Sequence, residues 1–334
     1  LSHTPPPSAS AAAPAQTPAQ SVGPPEPSPT PDPPKLHNPT EAEIAQAKAD
    51  DLNGIVHGSE ERPGTDKKMS DMLPEHPTIK GGYAQLGNLR VQADKYAEFR
   101  EAMMYEAQNP GTAGIIDRLE KGPNKTTVAM NETADNQMIP HASGGAEVHW
   151  DPKHMHIASN DAHRSPATRL AHELDHADEW THDPQRLLLN ANVHDPKYGN
   201  LEEKRVITGS ERRNVKVLGE GQRDDHGHGK GDFEARGVTS AEPVLHQTRD
   251  GNTTEIREGY SQSGKISIEG DVVRQEVGRG QSVSYKRSEL EGMVGEEALA
   301  KAAASGKPFN VAVTGGEFAI KEPRSQAQEV QNVR

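Results

Sequence analysis

Residues 165–182 restrict the fold of this chain more than any other stretch. Ser165 is a good helix N-cap, and Pro166 suits the first helical position because its missing N–H had no partner there. The residues that follow, through Glu179, contain neither Gly nor Pro. At about 100° per residue, Ala167, Leu170, Ala171, Leu174 and Ala177 form one apolar stripe, while His172 and His176 point to nearly the opposite side. The spacing therefore predicts a helix that packs on one face and offers two imidazoles on the other. Residues four apart have Cβ atoms about 5–6 Å apart, so both rings can reach one zinc ion at about 2.0–2.1 Å per bond. Glu173 lies about 100° around from His172, beside such an ion rather than on it. A carboxylate there can take a proton from water and return it to a leaving amine. The run His172-Glu173-Leu174-Asp175-His176 is the HExxH pattern, and nine of the 16 histidines fall between His141 and His194.

The absence of cysteine makes this site more specific. It excludes disulfides, Cys-ligated zinc, iron–sulfur clusters and thiol nucleophiles, so any metal must be held by His and carboxylate. Structural zinc sites are closed by four protein ligands, whereas catalytic ones use three and keep a position open. Two candidates can supply the third. His182 follows His176 at the spacing of HExxHxxGxxH proteases, but Glu179 stands where those have Gly, and no Met lies between His182 and Met293 for a Met-turn. The alternative is the pair Glu202-Glu203, arriving from a second helix. Adjacent carboxylates diverge by about 100° on a helix, so one of the two would bind and the other would not.

Elsewhere the chain is polar. Of its 334 residues, 31% are AVILMFWYC, and 13 of the 26 prolines lie in residues 1–40, mixed with Ala and Ser. Such a segment cannot bury enough apolar surface to order itself, and it is expected to be a disordered tail. Pro5–Pro7 and Pro31–Pro34 are candidate polyproline ligands. A first residue of Leu leads to the expectation of a fragment or a non-standard start. Neither a secretory signal pattern nor an apolar run approaching ~18 residues is present, so no membrane span is expected. The net charge of -13 argues against nucleic acid and for a basic or neutral protein partner.

Residues 41–81 are expected to form a short capped helix and a linker, without a core. From 82 to 231 the pattern is that of a small α+β domain. It opens with a strand at Leu89–Val91 and a helix capped by Asp94, and includes the strand Ala146–Trp150 with a return strand near His156. Residues 232–334 read as a β-rich accessory module with one helix, punctuated by turns that include Ser263-Gly264 and Gly315-Gly316.

Across Gly82–Gly231 the chain resembles the NleD-like effector metalloproteases of type III secreting bacteria. The similarity is carried by the segment ending Asn109-Pro110-Gly111-Thr112, by Gly144 through Pro152, by Ala171 through Ala177, and by Glu202 through Glu211 to Val217-Leu218-Gly219-Glu220. The resemblance implies a zincin-like fold, zinc ligands His172 and His176, catalytic Glu173 and a third ligand in the Glu202-Glu203 pair, with Glu203 favoured. It further implies an effector delivered by a type III system, whose machinery or chaperone would engage the N-terminal tail. The effector would act in host cytoplasm on host proteins, with mitogen-activated protein kinases the family's known substrates. Asp175 departs from the apolar residue common at its position.

Three further expectations concern mechanism. The strand Gly145–Trp150 would edge the cleft and pair with substrate, Tyr198 or His194 would stabilise the oxyanion, and Gly219–Gly231, with His226 and His228, is a lid or a plain connector. The competing readings are a non-proteolytic effector that binds a host protein through its C-terminal module, and a housekeeping zinc protein.

Overall fold

In the computed structural model, which describes residues 36–131, 133, 135–227, 229–314 and 317–322, Thr40 and Glu43 form a capping box. The Thr40 hydroxyl accepts from Glu43 N at 3.3 Å and the Glu43 carboxylate from Thr40 N at 2.7 Å, which starts α1 (Glu41–Leu52). The tail 1–35, His228 and the Gly315-Gly316 turn lie outside the described residues. The stretch after α1 does more than link: Met69, Met72 and Leu73, in and beside α2 (Met69–Met72), enter the main core. Three apolar side chains among polar neighbours leave no periodic signal, which is why composition alone suggested an unpacked linker.

Strands β1 (Thr78–Lys80), β2 (Tyr83–Leu86) and β3 (Leu89–Gln92) form an antiparallel meander. Asp94, the expected cap, lies inside a 3₁₀ turn at Ala93–Lys95, and α3 (Tyr96–Glu106) begins after it without a side-chain cap. Asn109 instead caps the next helix: its Oδ1 accepts from Gly111 N at 3.0 Å, and Pro110 opens α4 (Pro110–Lys121). The strap before α2 crosses α4 so closely that a Cβ on Gly114 would collide with the Pro63 carbonyl. β4 (Thr126–Met130), β5 (Gln137–Pro140) and β6 (Ala146–Trp150) complete a six-stranded sheet of order β1-β2-β3-β4-β6-β5. β3, β4 and β6 are parallel, and β5 runs antiparallel outside β6. The expected edge strand, β6, is therefore flanked on both sides, and β5 is the edge.

β7 (His154–Ile157) does not return beside β6. It pairs with β8 (His163–Arg164) in a separate small sheet. Then comes α5 (Pro166–His182), where the Ser165 hydroxyl accepts from Thr168 N at 3.2 Å. Both tryptophans of the chain pin α5 to the sheet. Trp150 Nε1 donates to the Pro166 carbonyl at 2.8 Å, and Trp180 Nε1 donates to the Gly145 carbonyl at 2.9 Å. The apolar stripe is buried as the spacing requires, but Asp175, Asp178 and Glu179 are buried too, so α5 is enclosed on nearly every side.

After α6 (Pro184–Ala191) and the two-residue ladder β9 (His194–Asp195) with β10 (Gly199–Asn200), α7 (Leu201–Val206) begins. It runs through a π turn at Ile207–Glu211 into α8 (Arg212–Leu218), which ends at Gly219 in the left-handed conformation. β11 (Gly231–Glu234) then returns to pair with β7. The domain boundary expected at 231 thus falls inside a strand of the first domain, and the chain leaves that core only after Val238, whose carbonyl accepts from Ala167 N at 2.8 Å.

The C-terminal part comprises β12 (Leu245–Arg249), β13 (Asn252–Ile256), β14 (Ser261–Glu269), β15 (Val272–Gly278), β16 (Gln281–Lys286), α9 (Arg287–Val294), α10 (Glu296–Ser305), β17 (Pro308–Thr314) and β18 (Glu317–Lys321). Its antiparallel sheet, ordered β13-β12-β16-β15-β14-β17-β18, has a core of its own. Two helices stand where one was expected, broken at Gly295 (φ 87°). Ser263-Gly264 is not a turn: both lie in β14, and a Cβ on Gly264 would strike the Glu276 carbonyl. Met293 of α9 packs on the cluster of Met155, Ile157 and Phe233 and so joins the two parts. Among the described residues no helix is long and apolar enough to cross a membrane.

Candidate metal centre

His172 and His176, one turn apart on α5, meet Glu203 at the start of α7. The two imidazole Nε2 atoms are 3.1 Å apart; Glu203 Oε2 is 3.1 Å from His172 Nε2 and Oε1 is 3.4 Å from His176 Nε2. Two ligand bonds of about 2.0–2.1 Å meeting at a tetrahedral angle separate the ligand atoms by about 3.3–3.4 Å. The three donors thus stand at ligand spacing, and the group can hold a metal ion. Its electrostatics ask for a cation. Burial opposes ionisation of Glu203, yet His176 and His172 outweigh it and hold the carboxyl well below its usual range. Burial likewise opposes protonation of His176, but Glu203 and Glu202 hold the ring well above its ordinary value.

Behind each imidazole stands a carboxylate. Glu202 accepts from His176 Nδ1 at 2.9 Å and Glu211 from His172 Nδ1 at 2.8 Å. These bonds suit a proton on each Nδ1, so that both Nε2 atoms face the centre and would present lone pairs to a metal that displaces their protons, the arrangement that orients metal-binding histidines. Each carboxylate is held in turn. Arg205 donates to Glu202 at 2.7 and 3.0 Å, and Arg223 donates to Glu211 at 2.7 and 2.8 Å. Burial resists ionisation of Glu211, and Arg223 and Arg164 overcome it, keeping the carboxyl well below its usual range.

The π turn explains how Glu203 and Glu211 serve the same imidazole. Eight residues of ideal α-helix overshoot two turns by about 80°. The wider π turn absorbs roughly one extra residue, which brings Glu211 back beneath Glu203. Asp175, which stands where an apolar residue was expected, is accounted for as well. It accepts from Arg205 at 2.9 Å and from Arg62 of the strap at 3.0 Å, and it receives the Ser210 hydroxyl.

The other candidates lie elsewhere. His182 Nδ1 donates back to the Asp178 carbonyl at 3.0 Å, at the end of α5 and away from the three donors. His194 donates to the Gly199 carbonyl at 2.9 Å, and Tyr198 faces the ammonium groups of Lys197 and Lys204; neither borders the cleft. His226 does: its Nε2 is 3.3 Å from Glu203 Oε2. With Arg223 and Gly227, it places the Gly219–Gly231 run along the cleft wall.

The cleft has two halves that share Asn136, Glu173 and His226. One, of about 510 Å³, borders His172 and continues toward Arg164 and Asp232. The other, of about 350 Å³, borders His176 and Glu203 and is walled by Gln137, Met138 and Pro140 of β5. Glu173 lies at their junction. Of the acids on α5, Asp175 pairs with Arg205, Asp178 with Arg118, and Glu179 with Arg62 and Arg186. Among the described residues nothing makes a hydrogen bond or ion pair with Glu173; it borders both halves of the cleft, and Arg169, one turn back on α5, is the cation that acts on it through space.

Sequence reasoning missed Glu211, Arg223 and the placement of His226. Glu211 becomes visible only once the π turn is known, and the Gly-rich surroundings of Arg223 and His226 mask how they are held. No family model, curated protein or solved structure matches the chain.

Proposed function

We propose that the chain is a zinc-dependent endopeptidase of zincin type, with His172, His176 and Glu203 as zinc ligands and Glu173 as general base and acid. The observation that carries the reading is the unpaired carboxylate of Glu173, one residue from a ligand and at the junction of both cleft halves. Every other acid on α5 forms an ion pair with an arginine, whereas Glu173 forms none among the described residues, and a buried carboxylate left without an ion pair beside two imidazoles is chemically costly unless it is used.

A zinc ion, when bound, supplies Lewis acidity toward water and toward the scissile carbonyl. Glu173 takes the proton from the attacking water and delivers it to the leaving amine, so one water adds across one peptide bond. Among the described residues no strand pairs with the outer side of edge strand β5, which would offer its main chain to an extended substrate, the part first expected of β6. His226, on the cleft wall beside Glu203, would donate to the developing oxyanion in place of Tyr198 and His194.

The resemblance to NleD-like effectors and the Pro-rich tail support delivery by a type III system into host cytoplasm, with a mitogen-activated protein kinase as substrate. To test this, zinc-loaded chain is incubated with a panel of these kinases and the fragments are identified by mass spectrometry. The expected result is a single cut within an activation loop, abolished by phenanthroline. Intact kinases together with intact unfolded proteins and peptide libraries would overturn the peptidase reading.

A further inference from the structure

The strap, residues 57–63, contains neither helix nor strand, and most of it faces solvent. Gly58 and Arg62 turn inward. Gly58 is buried so close to α6 and α7 that a Cβ there would lie 3.0 Å from the side chains of Arg186 and Arg205. Arg62 reaches the back of α5, where it donates to Asp175 at 3.0 Å and pairs with Glu179. A segment with no main-chain ladder of its own stays where such contacts hold it.

These contacts join the two elements that build the metal centre. On one side, Arg62 grips α5, which carries His172 and His176. On the other, the carbonyls of Ser59 and Glu60 accept from Arg213 of α8 at 3.2 and 3.3 Å. The Ser59 carbonyl also lies against Gly209 in the π turn, where a Cβ would stand 3.2 Å from it. That turn brings Glu211 beneath Glu203, so the strap supports the irregular segment without bordering either half of the cleft.

A continuous chain of hydrogen bonds leads from the strap to a ligand. Arg62 and Arg205 donate to the same Asp175 oxygen, Oδ1, at 3.0 and 2.9 Å. Arg205 donates at 2.7 Å to Glu202 Oε1, the oxygen that accepts from His176 Nδ1 at 2.9 Å. Arg205 thus divides one charge between Asp175 and Glu202, and Arg62 meets part of the Asp175 charge. Without Arg62, Arg205 would be drawn toward Asp175 and away from the carboxylate that orients His176. Members of a buried polar network polarise and hold one another in this way.

We infer that the strap is a working part of the metal centre: it clamps α5 to the π turn, and Arg62 is a positioning residue for His176, acting through Asp175, Arg205 and Glu202. The inference rests on the reading of His172, His176 and Glu203 as metal ligands and not on peptidase activity. Because coupling between two equilibria is reciprocal, a docked strap that tightens zinc binding is itself held down by bound zinc.

The test uses the full chain in two arms. In the first, zinc affinity is measured by competition with a chromophoric chelator for wild type, Arg62→Met and Arg62→Lys, in buffer where circular dichroism shows each of them folded. The expected result is affinity lower by at least about five-fold in Arg62→Met and partly restored in Arg62→Lys. A role in stability alone would lower the urea midpoint of Arg62→Met and leave its zinc affinity unchanged, which would overturn the positioning role.

The second arm needs no variant. A Glu-specific protease can cut after Glu60 or Glu61 only when the strap lifts, so the rate of that cut in wild type follows the undocked population. Zinc loading is expected to slow it by at least about five-fold, measured against cuts in the C-terminal part. An equal rate with and without zinc would overturn the clamp. Wild-type chain that takes up no zinc would overturn the metal reading and the inference with it. Zinc uptake with equal affinity in wild type and Arg62→Met, and no change in the cutting rate, would overturn the inference alone.

Discussion

Glu211 accepts a 2.8 Å hydrogen bond from His172 Nδ1, so this imidazole presents its Nε2 toward His176 and Glu203. Glu211→Gln keeps an acceptor but removes the charge that fixes the tautomer. Zinc affinity, measured by competition with a chromophoric chelator, is expected to fall about 10–100-fold. Unchanged affinity would show that Glu211 does not support the ligand.

The third ligand separates three variants in the same assay. Glu203→Ala is expected to weaken zinc by more than the roughly 100-fold that loss of an outer partner costs. Glu202→Ala, which removes only the group behind His176, falls within that range. His182→Ala, bonded back to Asp178, leaves affinity unaltered.

Arg205 stabilises two buried acids at once, at 2.7 Å from Glu202 and 2.9 Å from Asp175. Arg205→Met would leave both with reduced compensation, and Arg62 would still reach Asp175. Breaking a buried pair on one side costs about 3–5 kcal/mol. Urea denaturation should show a loss of that order, and a loss below about 1 kcal/mol would mean that water already screens the network.

Glu106 gives a pH dependence. It is wholly buried, accepts from Thr168 at 2.9 Å and from Asn214 at 2.7 Å, and is pushed from 4.5 up to about 8 by burial, then by Glu220. Between these values the folded chain holds a proton that the unfolded chain has released. Its contribution to stability is thus full at acid pH and declines as pH rises through about 4.5 to 8, by on the order of 5 kcal/mol. Glu106→Gln has no proton to lose and should flatten that slope in denaturation series run at several pH values. An identical slope in wild type and variant would contradict the assignment.

How much was legible depended on whether a feature is local. The caps at Thr40 and Ser165, the stripe on α5 and the pairing of His172 with His176 follow from spacing along one helix. The mixed α+β class follows from the alternation of such patterns. The strap was not legible, because Arg62 acts through Asp175, far along the sequence, and Met69 joins a core assembled from several separate elements, so neither leaves a periodic signal. β5 was missed for a similar reason. Its four residues carry no alternating burial, and its position as the edge depends on which strand β6 accepts as a second neighbour. Glu211 required the π turn, a backbone irregularity that no side-chain pattern announces.

The central claim is that three protein ligands hold one zinc and leave a position open for chemistry. Anomalous diffraction at the zinc edge, from crystals of the zinc-loaded chain, tests it most directly. One peak is predicted, about 2.0–2.2 Å from His172 Nε2, His176 Nε2 and a Glu203 oxygen, with water as the remaining ligand. A peak ligated also by His226 would close the site with four protein ligands, and a peak elsewhere would leave the three donors unused. Either result would contradict the account.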